Sequence, residues 1–168
     1  PIFHPAAVDE AHFLIMQMLG ERPDLLQAMA GNGLRFTVMA HDEWTTDVPE
    51  HAGLAPARFW DRRARGLGPT EARPSVSCGE ENLLAFPGDP YAAENILIHE
   101  FAHAIHLMGL TTTTPAFGAR LSGAYRGAMK AGRWEGTYAA TNPQEYWAEG
   151  VQSYFDTNRT NDHDHGEV

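Results

Sequence analysis

The chain contains 168 residues and carries a formal net charge of −10 at pH 7, with 43% hydrophobic and 20% charged residues. These proportions are typical of a globular protein and exclude a disordered chain. The acidic balance argues against a nucleic-acid partner and against binding to anionic membranes. No apolar run has the length of a membrane span. We therefore expect one domain over residues 1–168, ending in a flexible polar tail at 157–168.

The N-terminal half combines helical and β patterns. Helical periodicity predicts three helices, over residues 6–19, 24–30 and 57–64. The first of them has large apolar side chains available for one face: Phe13, Leu14, Met16, Met18 and Leu19. Alternating and β-branched residues predict three strands, over 34–40, 75–78 and 82–86. The remainder of 41–70 is rich in glycine and proline, which predicts loop.

An apolar segment with few helix breakers occupies the middle of the chain and predicts a helix over residues 90–108. Asp89 supplies an N-cap, and Pro90 fits the first helical position. Gly109 fits the position that follows the last turn. A further helix is predicted over residues 114–131.

The centre of the 90–108 helix reads His-Glu-Phe-Ala-His. His99 and His103 are four residues apart, which is about 40° of rotation and about 6 Å of rise, so both imidazoles can bind one metal ion. Glu100 can lie beside that ion as the general base for a metal-activated water. This spacing is the H-E-x-x-H signature of zinc peptidases. The alternative is a core helix with satisfied histidines, but burying these three ionisable groups together is costly unless something pairs them.

A catalytic zinc ion needs three protein ligands, and this helix supplies only two. A metzincin would have glycine seven residues and a third ligand ten residues after the first histidine, but these positions hold His106 and Gly109. Since His106 lies two turns beyond His99, we expect it to form a wall or to pack rather than to bind the ion. The third ligand must therefore come from another element.

The last predicted helix, residues 142–155, has Asn142 as its cap and Pro143 at its first position, and it carries Glu145 and Glu149 on one face. Glu145 could instead complete a capping box, and Glu149 could lie on a solvated face. Two aligned carboxylates on an otherwise apolar helix favour the metal site. We assign Glu145 to the metal, and Glu149 to a hydrogen bond with the far nitrogen of a ligand histidine.

The His-Glu-Phe-Ala-His motif is followed some forty residues later by Tyr-x-x-Thr-Asn-x-x-Glu-x-x-Ala-Glu at 138–149. Together the two motifs resemble the gluzincin peptidases, and among them the catalytic domains of the anthrax lethal factor type. The resemblance covers about residues 94–155. It implies a zinc site made of His99, His103 and Glu145, with Glu100 as the base.

The resemblance also implies a role for Tyr138, because in that family a tyrosine seven residues before the glutamate ligand stabilises the oxyanion. Considered without the family, Tyr138 is a loop aromatic beside Trp134, and Tyr125 or Tyr146 could donate the same hydrogen bond. The expected fold is an α+β, zincin-like metallopeptidase domain. In it a small mixed sheet packs on the active-site helix, and the C-terminal helices complete the site.

The predicted function is zinc-dependent endopeptidase activity on a peptide or protein substrate, with Zn²⁺ as the cofactor. One of the two predicted strands 75–78 and 82–86 is expected to run alongside the metal helix and to offer its edge to an extended peptide. Two alternatives stay open: a non-catalytic zinc-binding module, and a metal-dependent hydrolase of another amide or ester. The type of enzyme suggests a secreted or cell-envelope location. The oligomeric state is left open.

Two further features are weaker. The lone cysteine, Cys78, excludes an internal disulfide, and we expect a buried apolar residue rather than a zinc-ligating thiolate. His163 and His165 could bind a second metal ion or belong to a polar tail, and the composition of the segment favours the tail.

Overall fold

The computed structural model of the protein describes residues 3–159 and has an α+β architecture, as predicted. Its helices are α1 (Pro5–Leu19), α2 (Pro23–Gly31), α3 (Ala57–Arg63), α4 (Glu80–Leu83), α5 (Ile96–Ala104), α6 (Thr111–Thr113), α7 (Phe117–Lys130) and α8 (Pro143–Tyr154). Its strands are β1 (Arg35–Met39), β2 (Gly66–Leu67) and β3 (Ser75–Gly79). Two 3₁₀ turns, Thr45–Asp47 and Tyr138–Ala140, and a π-helical segment, Ile105–Leu110, complete the list. No helix in this part of the chain is long and apolar enough to cross a membrane.

The three strands form one small mixed sheet in the order β1-β3-β2, which agrees with the predicted sheet type. β1 runs parallel to β3, with Arg35 opposite Ser75. β2 runs antiparallel to β3, with Gly66 opposite Cys78. Every residue of β3 is buried, as expected for a central strand covered on both faces. β2 is an edge strand within a segment that was predicted to be loop. The prediction missed it because two residues are too few to show a period.

α5 packs on the sheet through its apolar side chains. Leu97, Ile98 and Phe101 are buried and share one hydrophobic core with Val76 and Cys78 of β3. Burying a side chain of this size contributes about 1.5–3 kcal/mol relative to leaving it exposed. The sheet therefore supports the helix that carries the H-E-x-x-H motif.

The start of α5 differs from the prediction. The helix begins at Ile96 rather than at Pro90, and its N-cap is Asn95, whose side-chain oxygen accepts a hydrogen bond from a backbone N–H of the first turn at 3.0 Å. Asn82 accepts a hydrogen bond from the backbone N–H of Ile96 at 2.8 Å and donates to two carbonyl oxygens in the preceding turn. The predicted N-cap at Asp89 was wrong because these tertiary hydrogen bonds hold the preceding residues outside the helix.

The predicted strand over residues 82–86 does not form, and the helical turn α4 takes its place. Glu80, Glu81 and Asn82 are consecutive, buried and polar. Each of these residues bonds a different part of the chain. For example, Glu81 forms an ion pair with Arg65 at 2.5 Å. In a strand, successive side chains point to opposite faces, so these three could not reach their partners together.

After α5 the chain continues as the π-helical segment Ile105–Leu110, where an α-helix to Met108 was expected. Gly109 lies within this segment, so its predicted role as a C-terminal cap was wrong. A Cβ atom at Gly109 would lie 3.2 Å from Met29 Cγ and 3.3 Å from Leu25 Cδ2. The glycine therefore allows α2 to pack closely against the π-helical segment.

α1 packs through small side chains together with some of the predicted large ones, since Leu19 is buried and Leu14 and Met18 are partly buried against the core. Ala7 and Ala11 are buried together with Leu19, whereas Phe13 is 55% and Met16 is 40% exposed. α1 is apolar around much of its circumference, so periodicity alone does not indicate which side is buried. The alanines permit a close approach to the core.

The predicted tail begins with residues that are bonded to the body of the protein. The backbone N–H of Asn95 donates to the Thr157 carbonyl oxygen at 3.0 Å. The Asn158 side chain donates to the Glu149 carbonyl oxygen at 3.1 Å. Residues 160–168 lie outside the described part of the chain, so a flexible tail there stays a prediction.

The Glu80 carboxylate joins the start of α1 to the segment that follows β1. It accepts hydrogen bonds from the backbone N–H groups of His4 and His41 and contacts His41 Nδ1 at 3.0 Å. Burial raises the pKa of Glu80, but these hydrogen bonds outweigh burial and hold the pKa below its ordinary value of 4.5. A carboxylate with a lowered folded-state pKa stabilises the fold above its unfolded pKa, and this contribution is lost as the pH falls through the folded pKa.

We expect Glu80→Gln to lower the free energy of unfolding by about 1–3 kcal/mol at neutral pH, because buried donors lose a charged acceptor. The difference from wild type should shrink as the pH falls below 4.5, where the wild-type carboxyl also takes up a proton. Urea denaturation across this pH range measures both effects. Glu21→Gln, at an exposed position, is the control. A difference that stays constant in acid would contradict the assignment.

Candidate metal centre

Two imidazoles and one carboxylate from α5 and α8 meet at one point. His99 Nε2 lies 3.2 Å from His103 Nε2, and Glu145 Oε2 lies 3.1 Å from the first and 3.3 Å from the second of these nitrogens. Ligand atoms at about 2.0–2.1 Å from a tetrahedral zinc ion lie about 3.3–3.4 Å from one another. The three donor atoms thus form a triangle of the size that a tetrahedral zinc ion requires.

α8 contributes Glu145 from its first turn. The Asn142 side-chain oxygen accepts hydrogen bonds from the backbone N–H groups of Gln144 and Glu145, both at 2.9 Å, and Pro143 takes the first helical position. Asn142 therefore caps the helix through its own side chain. The Glu145 carboxylate faces the two histidines instead of completing a capping box.

The indole of Trp147 holds α8 against α5. Its Nε1 donates to the carbonyl oxygen of Ala102 at 2.7 Å, within the H-E-x-x-H motif itself. The same carbonyl oxygen accepts the N–H of Ile105, where α5 passes into the π-helical segment. Departures from regular α-helix of this kind often lie at functional sites. The bond sets the position of Glu145 along α5.

Opposite charges stabilise one another at the cluster. Burial raises the pKa of Glu145, but hydrogen bonds and positive charge from His103 and His99 outweigh it and lower the pKa to about 2. Burial lowers the pKa of His99, but hydrogen bonds to Glu145 and Glu149 outweigh it and raise the pKa well above 6.5. The point where the three donors converge therefore favours positive charge, and a divalent cation can replace protons there.

His99 is oriented by residues behind the cluster. Its Nδ1 lies 2.8 Å from Gln152 Oε1 and 3.2 Å from Glu149 Oε1. Gln152 Nε2 donates to the Asn95 carbonyl oxygen at 3.1 Å, which sets the amide orientation so that its oxygen faces His99. The neutral imidazole therefore carries its hydrogen on Nδ1 and directs the Nε2 lone pair into the cluster.

Glu149 was predicted to hydrogen-bond a ligand histidine, and its Oε1 lies 3.2 Å from His99 Nδ1, but the hydrogen bond observed at that nitrogen comes from Gln152, which was missed. The signal was present, because Gln152 follows Glu145 by seven residues and Glu149 by three, on the same helical face. An uncharged amide did not stand out as a partner for a metal ligand.

Arg159 lies between two buried carboxylates. Its Nη2 is 3.4 Å from Glu94 Oε2 and 3.6 Å from Glu149 Oε1, and its guanidinium lies 5.5 Å from the ring centroid of Tyr138. Glu149 is completely buried. Since a buried carboxylate without a cationic partner is costly, Arg159 and His99 together allow Glu149 to occupy this position.

Glu100 lies beside the edge strand. A Cβ atom at Gly68 would lie 3.1 Å from Glu100 Oε2 and 3.1 Å from His103 Cβ. A Cβ atom at Gly66 would lie 3.3 Å from Glu100 Cγ. The chain can pass this close to the motif because both positions lack a side chain. The Glu100 carboxylate therefore lies against one face of the chain segment that contains β2 and Gly68.

Tyr138 begins the 3₁₀ turn before α8, and its ring centroid lies 6.1 Å from that of His99. Burial raises the pKa of Tyr138, Glu145 acts in the same direction, and Arg63 opposes them. The hydroxyl therefore keeps its hydrogen at neutral pH and is a hydrogen-bond donor.

The alternative tyrosines have other partners. The Tyr125 hydroxyl donates to the Ala140 carbonyl oxygen at 2.8 Å. The Tyr146 ring packs edge-on against the rings of Tyr125 and Trp134. Among the three tyrosines considered from the sequence, the ring contact with His99 belongs to Tyr138.

The weaker candidates named from the sequence do not belong to the cluster in the described part of the chain. The His106 ring packs edge-on against Phe117, at 5.3 Å between centroids, which agrees with a packing role. Cys78 is a free, buried thiol in β3, as expected. His163 and His165 lie outside the described residues, so neither their predicted place in a tail nor a second metal site is tested.

A cavity of about 1330 Å³ lies on the other side of α8. Its lining includes Trp147 and Val151 of α8 and Phe117 and Leu121 of α7. No residue of the His-His-Glu cluster contributes to this lining. α8 therefore separates this cavity from the candidate metal centre.

No protein-family model, no curated protein and no solved structure matches the chain. A function for the site is therefore argued from its own geometry and chemistry.

We expect the purified protein to bind zinc stoichiometrically and Glu145→Ala to abolish this binding, because two imidazoles alone are an incomplete site. Glu149→Gln should weaken zinc affinity without abolishing it. The substitution removes a negative charge next to the ligand His99 but leaves all three ligands in place. Elemental analysis and competition with a chromogenic chelator measure both. Glu135→Ala, an exposed position, is the control. Zinc binding that is indifferent to Glu145 would show that the third ligand is misassigned.

We expect Gln152→Leu to weaken zinc binding about 10–100-fold, the usual effect of removing the hydrogen-bond partner of a ligand histidine. Gln144→Leu makes the same chemical change at an exposed position of the same helix and should have no effect. Chelator competition on both folded variants measures the affinity. Equal affinities would mean that Glu149 alone orients His99.

Proposed function

We propose that the protein is a zinc-dependent endopeptidase of the gluzincin type. The observation that carries the proposal is the position of Glu100, which lies between two ligand-type histidines on α5 and next to the edge strand β2. A purely structural metal site has no need of a partly exposed carboxylate between its two histidines. A peptidase needs a base at that position.

The donor triangle of His99, His103 and Glu145 supports zinc as the metal. This donor set also suits other first-row divalent ions, but three protein ligands with one position left open is the arrangement of catalytic zinc. When bound, zinc supplies Lewis-acid activation of a water molecule and of the scissile carbonyl. Gln152 and Glu149 keep the His99 imidazole directed at the cluster.

Glu100 acts as the general base in this proposal. Its carboxylate takes up a proton from the attacking water and then passes the proton to the leaving amine, so that one residue serves both half-steps. It is only partly buried, which leaves it accessible to a bound substrate. Gly66 and Gly68 keep the neighbouring chain from covering it.

The outer edge of β2 binds the substrate as an added strand. β3 pairs with one side of β2, and no described strand pairs with the other. Backbone N–H and C=O groups on this side can bond an extended peptide, which brings its scissile bond alongside Glu100. Main-chain pairing of this kind is typical of endopeptidases, which bind residues on both sides of the bond that they cleave.

Tyr138 donates a hydrogen bond to the oxyanion of the tetrahedral intermediate. Its proximity to His99 and its retained hydroxyl hydrogen support this role. The resemblance to the lethal factor type implies a zincin-like form of the α+β fold, and this stays a prediction. The secreted or cell-envelope location stays a prediction.

We expect Glu100→Gln to reduce peptidase activity about 10²–10⁴-fold while zinc binding is retained, because the substitution removes a proton acceptor and not a ligand. Cleavage of an unstructured protein such as casein, followed by mass spectrometry, measures the loss and the cleavage sites. Glu135→Gln is the matched control at an exposed position. Full activity in Glu100→Gln would overturn the mechanism.

The same assay separates the two alternatives. A wild-type protein that binds zinc but hydrolyses neither peptides nor esters is a zinc-binding module. A protein that hydrolyses a small ester or amide panel but leaves peptides intact is a hydrolase of another class.

A further inference from the structure

α3 presents an unusual concentration of positive charge for an acidic protein. Arg58, Arg62 and Arg63 are exposed and line one shallow depression of about 510 Å³ together with Pro56 and Phe59. The whole chain has only 12 basic residues against 22 acidic ones. We call this surface the α3 arginine surface.

The arginines of this surface have no carboxylate partner among the described residues, although Arg22, Arg35, Arg65 and Arg159 all do. The acidic residue of α3 itself, Asp61, accepts hydrogen bonds from the backbone and side chain of Thr46, at 3.0 and 3.2 Å. The positive charge of the α3 arginines is therefore available to bind an anionic ligand.

The α3 arginine surface leads directly into the proposed substrate-binding edge. Only Ala64 and Arg65 separate Arg63 from Gly66, the first residue of β2. The Tyr91 hydroxyl donates to the Arg63 carbonyl oxygen and anchors this junction. Arg63 also opposes the rise in the pKa of Tyr138, whose ring contacts that of His99. The surface therefore borders the candidate metal centre.

We propose that the α3 arginine surface selects substrates with an acidic residue close to the scissile bond. This inference rests on the proposed peptidase function and names its substrate class. A peptide paired with β2 advances about 3.3 Å per residue, so a side chain two or three positions beyond Gly66 reaches α3. Guanidinium groups bind carboxylates with two parallel hydrogen bonds, which gives both affinity and direction. Phe59, 52% exposed in the same depression, adds an apolar wall.

The test compares peptides that differ only at single positions on either side of a cleavage site mapped in casein, carrying Glu, Gln or Lys. Wild-type enzyme should cleave the best Glu peptide with kcat/KM at least about 10-fold above the Gln peptide, the effect of a typical charge-assisted hydrogen bond. Arg58→Glu/Arg62→Glu should reverse the order and cleave the Lys peptide best. A misfolded variant cannot gain cleavage of the Lys peptide. Arg63 is left unchanged because it affects the pKa of Tyr138.

Arg126→Glu/Lys130→Glu makes the same charge change on α7 and should preserve the wild-type preference for Glu. Equal cleavage of the three peptides by wild type, or an unchanged order in the α3 variant, would overturn the inference while the peptidase function stands.

Fluorescence anisotropy on zinc-loaded protein with the same peptides distinguishes a failure of catalysis from a failure of substrate recognition. If no peptide is cleaved but the Glu peptide binds in an α3-dependent manner, catalysis is refuted and recognition of acidic peptides is supported. If no peptide is cleaved or bound, both are refuted.

Discussion

The contact between α5 and α8 is the constraint on which the rest of the structure depends. It places a carboxylate within 3.3 Å of two imidazole nitrogens, an arrangement that a protonated imidazole or a shared cation stabilises. The core beneath α5 supports one side of this contact. Trp147 and Gln152 of α8 bond groups of α5, and Arg159, which follows α8, pairs with Glu94 in the turn before α5. Local sequence places the ligands on helices, and these long-range bonds bring the helices into register.

The polar interior of the protein is organised by residues that bond several segments at once. Asn82 joins the turn before α5 to its first N–H, and Gln152 joins the cap of α5 to a ligand histidine. Such residues satisfy buried backbone groups that helices and strands leave unpaired. They also couple the start of α5 to the orientation of His99. The hydrogen bonds that orient His99 therefore belong to the same network that shapes the fold.

Periodicity and capping chemistry were sufficient to place His99 and His103 on one helix and Glu145 on another, because both signals are local. The start of α5 could not be predicted, since the residue that decides it, Asn82, is fourteen positions upstream. Consecutive buried polar residues at 80–82 overrode the expected strand for the same reason. The packing of α1 through Ala7 and Ala11 and the role of Gly109 depend on neighbours that no local pattern specifies. The two-residue strand β2 is recognisable only once β3 is beside it.

The brevity of β2 has a consequence for solubility. An unpaired strand edge that can accept a peptide can equally accept another chain, and long exposed edges are sites of aggregation. Here the paired segment is two residues long and is followed closely by Gly68 and Pro69. Glycine weakens intrinsic strand order, and proline removes a backbone donor. The edge is thus too short to sustain a stable sheet between two copies of the protein. A ligand would need contacts beyond the backbone to remain bound.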